Sequence, residues 1–221
     1  MDLLIHQLLD HSLTKEIYSG LKKDQTPWQD GKKTAGVYAA NVKNNLQLDR
    51  DSKQSLDLSQ KVIEKIQADP LIKSYSLPKK FHGLMFAKTT SGQSYGIHID
   101  NAYMSSGRSD LSFTLFLNDP FSYNGGELCI QTLQETKRIK LKAGEIVIYP
   151  STSLHQVEEV KSGERIVCVG WIESYISSNE DRDLLFGLDA GAKGLLAKYG
   201  QSEPLNLIFQ AYNNLLRRLG D

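Results

Sequence analysis

The sequence has little cysteine, no excess of charge of either sign and no long apolar run. Its two cysteines, Cys129 and Cys168, lie in β-like apolar segments. They do not form a disulfide framework, so we expect buried thiols in a reducing cytoplasm. The 26 basic and 26 acidic residues cancel, which leaves no electrostatic case for nucleic-acid binding. No segment approaches the roughly 20 apolar residues that cross a bilayer, and a secretory signal pattern is absent.

Hydrophobic periodicity divides the 221 residues into three parts. The first, 1–79, is a mixed N-terminal support region. Amphipathic helices are predicted there at 8–21 and 56–68, with a turn at 28–31 and a proline just after the second helix. The last part, 176–221, is a C-terminal helical extension.

The middle part, 80–175, consists of short β-branched or aromatic segments separated by turn residues. No helical pattern interrupts them, which disfavours a parallel α/β sheet. We therefore expect an α+β protein with a mainly β core, arranged as a jelly roll or distorted barrel. The predicted strands are 81–89, 95–101, 112–118, 127–133, 137–140, 145–149, 153–160 and 165–174.

Two helices are predicted in the C-terminal extension, at 181–199 and 204–219. Three glycines within the first, at 187, 191 and 194, argue against one unbroken helix. These helices would either pack over a sheet face or form the contact of a homodimer.

The candidate chemistry begins with His98 and Asp100, which form a His-x-Asp pair on a predicted strand. Residues two apart on a strand point to the same side, so an imidazole and a carboxylate can converge on one ion. His155, on a later predicted strand, would be the third ligand. Two histidines and one carboxylate leave adjacent coordination positions open, as in oxygen-activating Fe(II) enzymes. The His-x-Asp pair alone is a weak signal.

Arg165 is a candidate carboxylate-binding residue, because a guanidinium binds a carboxylate through two parallel hydrogen bonds. A diacid that chelates iron at one end needs such a group at its other end. We expect Arg165 and His155 on neighbouring strands of a hairpin that turns near Ser162-Gly163. A three-residue loop would place both side chains on one face, and a two-residue loop on opposite faces.

Taken together, these residues and their flanks resemble the prolyl 4-hydroxylase-like branch of the 2-oxoglutarate-dependent dioxygenases. The similarity is greater still to the bacterial PKHD-type hydroxylases, from about residue 80 to the C-terminus. The matching stretches are Tyr95-Gly-Ile-His-Ile-Asp-Asn101, Arg108-Ser-Asp-Leu-Ser112, Thr114-Leu-Phe-Leu-Asn118, Gly125-Gly-Glu-Leu128, Ala143-Gly-Glu145, Gly163-Glu-Arg165 and Arg182-Asp-Leu-Leu-Phe186.

The resemblance implies a double-stranded β-helix flanked by helices, with His98, Asp100 and His155 as iron ligands. Arg165 would bind the distal carboxylate of 2-oxoglutarate, dioxygen would be the oxidant, and L-ascorbate would be a reductant. The substrate would be a prolyl or other amino-acid residue of a protein or peptide. A free amino acid or a small iron-uptake metabolite is the alternative.

The sequence departs from its relatives just before the first iron histidine. Lys88 and Thr89 stand where related sequences often have an arginine and a tyrosine that helps to hold the cosubstrate. Thr114 could donate a hydroxyl instead, although a β-branched strand residue is usually a packing residue. Tyr95 and Trp171 could line the pocket or simply pack in the core.

Two other classes of function stay open at this point. A zinc-dependent hydrolase could use the same three ligands, and a non-catalytic binding module could keep a relic of the site. His6, His11 and His82 have no recognisable partner in the sequence and are expected to be structural or exposed.

Overall fold

Seven strands pair into the larger of two facing sheets in the computed structural model, which describes residues 3–34, 39–132 and 134–221. The strands of the described chain are β1 Leu4–Gln7, β2 Trp28–Asp30, β3 Lys43–Asn44, β4 Leu46–Leu48, β5 Pro78–Thr90, β6 Ser94–His98, β7 Tyr103–Met104, β8 Gly107–Arg108, β9 Leu111–Phe116, β10 Asn124–Gly125, β11 Leu128–Gln131, β12 Thr136–Ile139, β13 Glu145–Pro150, β14 His155–Val157, β15 Val160–Ser162 and β16 Glu164–Ser174. The α-helices are α1 His11–Leu21, α2 Lys53–Ala68, α3 Pro70–Ser76, α4 Asn179–Tyr199 and α5 Glu203–Leu219. Short 3-10 helices lie at Gly31–Thr34, Ala39–Val42 and Pro120–Ser122.

The larger sheet has the strand order β1-β13-β9-β16-β5-β4-β2, and the smaller has the order β12-β11-β14-β6-β3. Neighbouring strands are antiparallel in both sheets. The pairs β10-β15 and β7-β8 stand apart from them. The expected mainly β core of the α+β class is therefore confirmed as a large antiparallel sheet with flanking helices.

The two faces of the larger sheet have different partners because side chains alternate along each strand. On β16, Ile166 and Cys168 join the buried cluster that packs against α1, α2 and α3. Val167 joins a second cluster, with Leu128 and Ile130 of the smaller sheet. The second face thus looks into the space between the sheets, where the pocket lies.

Helix starts follow local capping chemistry. Asp10 accepts a hydrogen bond from the Leu13 backbone N–H at 2.8 Å and begins α1. Asp69 does the same for α3, where Pro70 occupies the first turn. The proline that follows α2 thus begins another helix, α3, which was not predicted from the sequence.

Two further local predictions were wrong. The turn expected at 28–31 contains β2, which pairs with β4 at the edge of the larger sheet. Helix α4 runs unbroken through Gly187, Gly191 and Gly194. Tertiary packing stabilises it, because side chains of α3 contact its N-terminal end. An example is the edge-to-face pair Tyr75–Phe186, whose ring centroids are 5.6 Å apart.

Each of the eight predicted strands has a counterpart, although several differ in extent. The predicted strand 153–160 is split between β14 and β15, which pair with different neighbours. The predicted strand 127–133 ends at Gln131 as β11, and its last position, Leu133, lies outside the described residues. The cysteines are buried free thiols, as predicted. None of the described helices has the length and apolar character that crossing a bilayer requires.

Candidate metal site and its pocket

The structure brings His98, Asp100 and His155 together. One potential ligand atom from each residue lies within 4.8 Å of the other two. His155 Nε2 is 3.7 Å from Asp100 Oδ2, and the two imidazole centroids are 4.2 Å apart. His155 pairs directly with His98 across β14 and β6. The smaller sheet therefore supplies both imidazoles from adjacent strands.

Backbone carbonyls fix the orientation of both imidazoles. His98 Nδ1 donates to the Gly96 carbonyl at 2.8 Å, and His155 Nδ1 donates to the Ser153 carbonyl at 3.0 Å. Since a carbonyl only accepts, Nδ1 carries the proton in each ring and Nε2 keeps its lone pair for a metal. Burial, followed by the neighbouring His155, lowers the pKa of His98 to about 4. The His98 imidazole is therefore neutral at physiological pH.

Asp100 does not lie on the strand that was predicted to carry it. Strand β6 ends at His98, and Asp100 follows in an irregular segment. Its orientation comes from the opposite sheet, where Ser112 on β9 donates to Asp100 Oδ2 at 2.6 Å. Ser112 is in turn 2.8 Å from the Ser151 hydroxyl. A hydrogen bond between sheets, rather than strand alternation, directs this carboxylate to the site.

The hairpin expected to join His155 and Arg165 does not form. His155 is on β14 of the smaller sheet, whereas Arg165 is on β16, which pairs with β5 and β9 in the larger sheet. The chain crosses from one sheet to the other between them, so the loop-length argument does not apply. Both side chains nevertheless line the same cavity of about 190 Å³.

Arg165 is a buried cation without a carboxylate partner in the part of the chain that the structure describes. The residue is 3% exposed, and its Nε has no hydrogen-bond acceptor there. Its guanidinium carbon lies 5.3 Å from the Phe116 ring centroid. Burial lowers its pKa. An unpaired buried charge is unfavourable, so the arrangement is suited to a ligand that brings a carboxylate.

The backbone beside Arg165 leaves room for this side chain. Gly126 has a φ of +71°, which favours glycine. A Cβ there would lie 3.2 Å from Arg165 Cδ. The Gly125-Gly126 pair thus serves both the turn and the wall of the cavity.

Thr89, Thr114 and Tyr149 bring hydroxyl groups to the cavity near Arg165. Thr89 pairs with Arg165 across β5 and β16 and is buried. Tyr149 interacts with the Thr114 hydroxyl and with Arg165, and burial raises its pKa well above the usual value. Its ring meets the His155 ring edge-on at 5.3 Å. A buried phenol that the sequence did not point to therefore lies near both Arg165 and His155.

Tyr95 and Trp171 line the cavity, which is one of the two roles considered for them from the sequence. Tyr95 stacks on His98 with centroids 3.7 Å apart, and Trp171 lines the far end of the cavity. His82, expected to lack a partner, is 2.8 Å from both the Ser106 hydroxyl and the Arg108 carbonyl, and it also lines the cavity. His6 likewise has a partner, Asp69, at 2.8 Å.

Full-length relatives share most of this chain. A PKHD-type hydroxylase of Prochlorococcus marinus strain MIT 9313 is 64% identical over 220 residues, which cover all of both chains. Another, from Prochlorococcus marinus strain MIT 9312, is 57% identical over the full length of both. The family model described as the 2OG-Fe(II) oxygenase superfamily matches residues 84–173.

The chain belongs to the 2OG-Fe(II) oxygenase superfamily. It is thus an oxidoreductase of the dioxygenase type, and the predicted resemblance to the PKHD-type hydroxylases is confirmed. The superfamily match spans β5 to β16 and contains the His98, Asp100 and His155 cluster. Strands β1 to β4 and helices α4 and α5 lie outside it.

Solved structures of this superfamily share the fold at low sequence identity. A prolyl-4-hydroxylase of Pseudomonas putida aligns with a TM-score of 0.56 and 18% identity, over 78% of this chain and 92% of that one. A prolyl hydroxylase of Trichoplax adhaerens, in complex with a peptide fragment of the hypoxia inducible factor oxygen degradation domain, aligns with a TM-score of 0.57. That alignment has 16% identity and covers 83% and 86% of the two chains.

Proposed function

We propose that His98, Asp100 and His155 bind Fe(II) and that Arg165 binds the distal carboxylate of 2-oxoglutarate. The decisive observation is that a buried arginine, with no salt-bridge partner among the described residues, shares one small cavity with a cluster of two imidazoles and a carboxylate. The N, N, O donor set suits non-haem iron. A hydrolytic zinc site would need no buried cation of this kind, so Arg165 favours the oxygenase over the hydrolase.

Each residue near the proposed iron has a definite task. The carbonyls of Gly96 and Ser153 keep the imidazole Nε2 atoms unprotonated, and Ser112 holds the Asp100 carboxylate. Iron and 2-oxoglutarate would supply the oxygen activation needed to hydroxylate a C–H bond. The protein contributes orientation through these hydrogen bonds and a cavity in which the reacting groups meet.

At the other end, Arg165 would bind both oxygens of the distal carboxylate through its planar guanidinium. We propose that Tyr149, together with Thr114, donates a further hydrogen bond to the cosubstrate. Burial keeps the Tyr149 phenol protonated, so it can donate across the physiological pH range. This contact would compensate for Thr89 in place of the tyrosine common among relatives.

We also propose that the two facing sheets constitute the double-stranded β-helix of this superfamily. Its support is the shared cluster of apolar residues between them and the passage of the chain from β14 in one sheet to β16 in the other. In this arrangement 80–175 would be the dioxygenase core. The N-terminal part, 1–79, would complete both sheets through β1 to β4, and 176–221 would be an extension that packs on α3.

The hydroxylated group is proposed to be a prolyl or other amino-acid residue of a protein or peptide, with a free amino acid or a small iron-uptake metabolite as the alternative. The PKHD-type names of the relatives support a hydroxylase. L-Ascorbate as reductant and a cytoplasmic location complete the proposal. The location is supported by two buried, unpaired thiols.

A homodimer is proposed on the basis of apolar side chains that remain exposed on the C-terminal helices. Leu184 on α4 is 56% exposed, and Leu207 on α5 is 61% exposed. Light scattering of the purified protein would measure the oligomeric state directly, and a monomer at micromolar concentration would contradict this part of the proposal.

The function is tested by anaerobic addition of Fe(II) and then 2-oxoglutarate to the purified protein. We expect a metal-to-ligand charge-transfer band, and succinate formation when oxygen is admitted. His98→Ala should abolish both signals. His11→Ala, which removes an exposed imidazole from the start of α1, is the matched control. Absence of the band in the wild-type protein, with zinc found by metal analysis, would favour the hydrolase instead.

A further inference from the structure

A second cation, Arg50, lies near Trp171 at the end of the cavity away from Arg165. Arg165 and Trp171 both line the cavity from β16 and are six positions apart, which corresponds to roughly 20 Å along a strand. The groups near Arg165 are the phenols of Tyr123 and Tyr149 and the carboxylate of Glu127. Lys43 instead interacts with Asp100 and Arg50. Lys43 and Arg50 therefore have neighbours different from those of Arg165.

Lys43 is buried, at 3% exposure, although lysine is among the residues least often found inside proteins. Its Nζ donates to the Thr34 hydroxyl at 3.3 Å and lies 5.2 Å from the centre of the Tyr95 ring. Within the described ranges, no carboxylate lies close enough to form a salt bridge with it. Burial lowers its pKa to about 8, so the ammonium is mostly charged at neutral pH.

The neighbouring groups at this end are also hydrogen-bond donors. The Trp171 Nε1–H is buried and has no acceptor among the described residues, and an indole can only donate. Trp171 packs over Gly83, where a Cβ would lie 2.6 Å from the indole ring. The same Cβ position is 3.7 Å from Arg50 Nη2. An ammonium, an indole N–H and a guanidinium thus border one space.

The segment that carries Lys43 has an unusual polar pattern. Lys43, Asn45 and Gln47 alternate along the β3–β4 segment, all three are buried, and all three line the cavity. Gln47 accepts a hydrogen bond from Thr34. A strand face that is polar and buried is expected where a polar ligand binds, since unsatisfied polar groups in an apolar core are unfavourable.

We propose that this end of the cavity binds a carboxylate of the substrate, through Lys43 and Arg50, and so holds the adjacent C–H bond near the iron site. The inference rests on the proposed function, because it presumes that 2-oxoglutarate occupies the Arg165 end. The cavity of about 190 Å³ is smaller than the roughly 300–1,000 Å³ of most ligand pockets. Space beyond the cosubstrate suits one amino-acid-sized group.

The carboxylate has two chemical sources, which calorimetric titration of the anaerobic Fe(II)- and 2-oxoglutarate-loaded enzyme can separate. One set of probes is the standard free L-amino acids against their C-terminal amides. The other is short end-blocked peptides that carry aspartate or glutamate against the same peptides with asparagine or glutamine. Binding that requires the free α-carboxylate identifies the first source. Binding that requires the acidic side chain identifies the second.

Lys43→Met should weaken binding of the selected carboxylate probe by roughly tenfold to a hundredfold, as expected for a buried hydrogen bond to a charged group. Lys43→Arg should retain part of the affinity. The matched control is Lys88→Met, because Lys88 lies over the Trp28 ring at 4.6 Å and does not line the cavity. Its probe affinity should equal that of the wild-type enzyme.

Three results would overturn the inference without touching the proposed function. The first is that no carboxylate probe binds, and the second is that amides bind as tightly as acids. The third is that Lys43→Met weakens 2-oxoglutarate binding rather than probe binding, which would assign Lys43 to the cosubstrate. Failure of the proposed function is distinguishable, because the wild-type enzyme would then give no charge-transfer band with Fe(II) and 2-oxoglutarate.

Discussion

Replacing Arg165 with methionine should stabilise the metal-free protein and, at the same time, abolish its affinity for 2-oxoglutarate. The guanidinium is buried, has an unsatisfied Nε and has no carboxylate partner among the described residues. Methionine has a similar length and fills irregular apolar space well. It would pack against Phe116 and the apolar wall of the cavity without the cost of a buried charge.

The size of each effect follows from the contacts. Removing a buried charge in favour of an apolar side chain stabilises by about 1–4 kcal/mol when the charge is well desolvated. Because Arg165 faces a cavity that can hold water, the lower half of that range, about 1–2 kcal/mol, is expected. Two hydrogen bonds between charged groups contribute about 1.5–3 kcal/mol each. Their loss should weaken 2-oxoglutarate binding by about two to four orders of magnitude.

The measurement is denaturant unfolding of the metal-free protein, followed by titration of 2-oxoglutarate into the Fe(II) form. Arg182→Met is the matched control. Arg182 is equally buried, at 3% exposure, but it donates to the Ile176 carbonyl at 2.5 Å, to the Ser177 carbonyl at 3.0 Å and to Asn179. Its replacement leaves acceptors unpaired and should destabilise by about 2–4 kcal/mol.

The reasoning is refuted if Arg165→Met destabilises the protein as much as Arg182→Met does. It is also refuted if 2-oxoglutarate still stabilises the Arg165→Met variant. A ligand that binds only the native state raises the free energy of unfolding, so thermal stability with and without 2-oxoglutarate gives an independent check.

Three further predictions concern the same cavity. Tyr149→Phe should weaken 2-oxoglutarate binding roughly threefold to tenfold in the same titration, with Fe(II) affinity unchanged. Ser112→Ala frees the Asp100 carboxylate and should lower Fe(II) affinity about tenfold to a hundredfold, measured by metal titration. In the metal-free protein, burial lowers the pKa of His98 to about 4. As the pH falls, the His98 imidazole is therefore protonated in the unfolded chain before it is protonated in the folded protein. Stability should therefore fall as pH drops from about 6.5 towards 4, and denaturant midpoints should show a shallower fall in His98→Asn.

The strands of the core were predictable because their pattern is local. Alternating apolar residues divided by turn residues predict strands wherever one face is buried, and each predicted strand has a counterpart in the structure. The grouping of site residues that lie in one short segment was also predictable. His98 and Asp100 are close in sequence, so their side chains could be placed together without knowledge of the sheets.

Relations between strands were less predictable. The hairpin argument for Arg165 assumed that consecutive strands pair, which is common but not general. Here β15 pairs with β10, and β16 pairs with β5 and β9. The loop rules could not show this crossing, because strand order depends on packing across the whole chain. The grouping of Arg165 with His155 came instead from the chemistry of a diacid ligand.

The burial of Lys43 is an example of a feature that a local sequence pattern does not predict. Sequence patterns assign polar residues to the surface, so Lys43-x-Asn45-x-Gln47 gives no signal of burial unless the strand is already known. The structure places this pattern inside, where all three side chains line the cavity. Two buried cations without carboxylate partners, as far as the described chain shows, lower the stability of the empty protein. The proposed functions account for both, because each of the proposed ligands would bring a carboxylate to one of these cations.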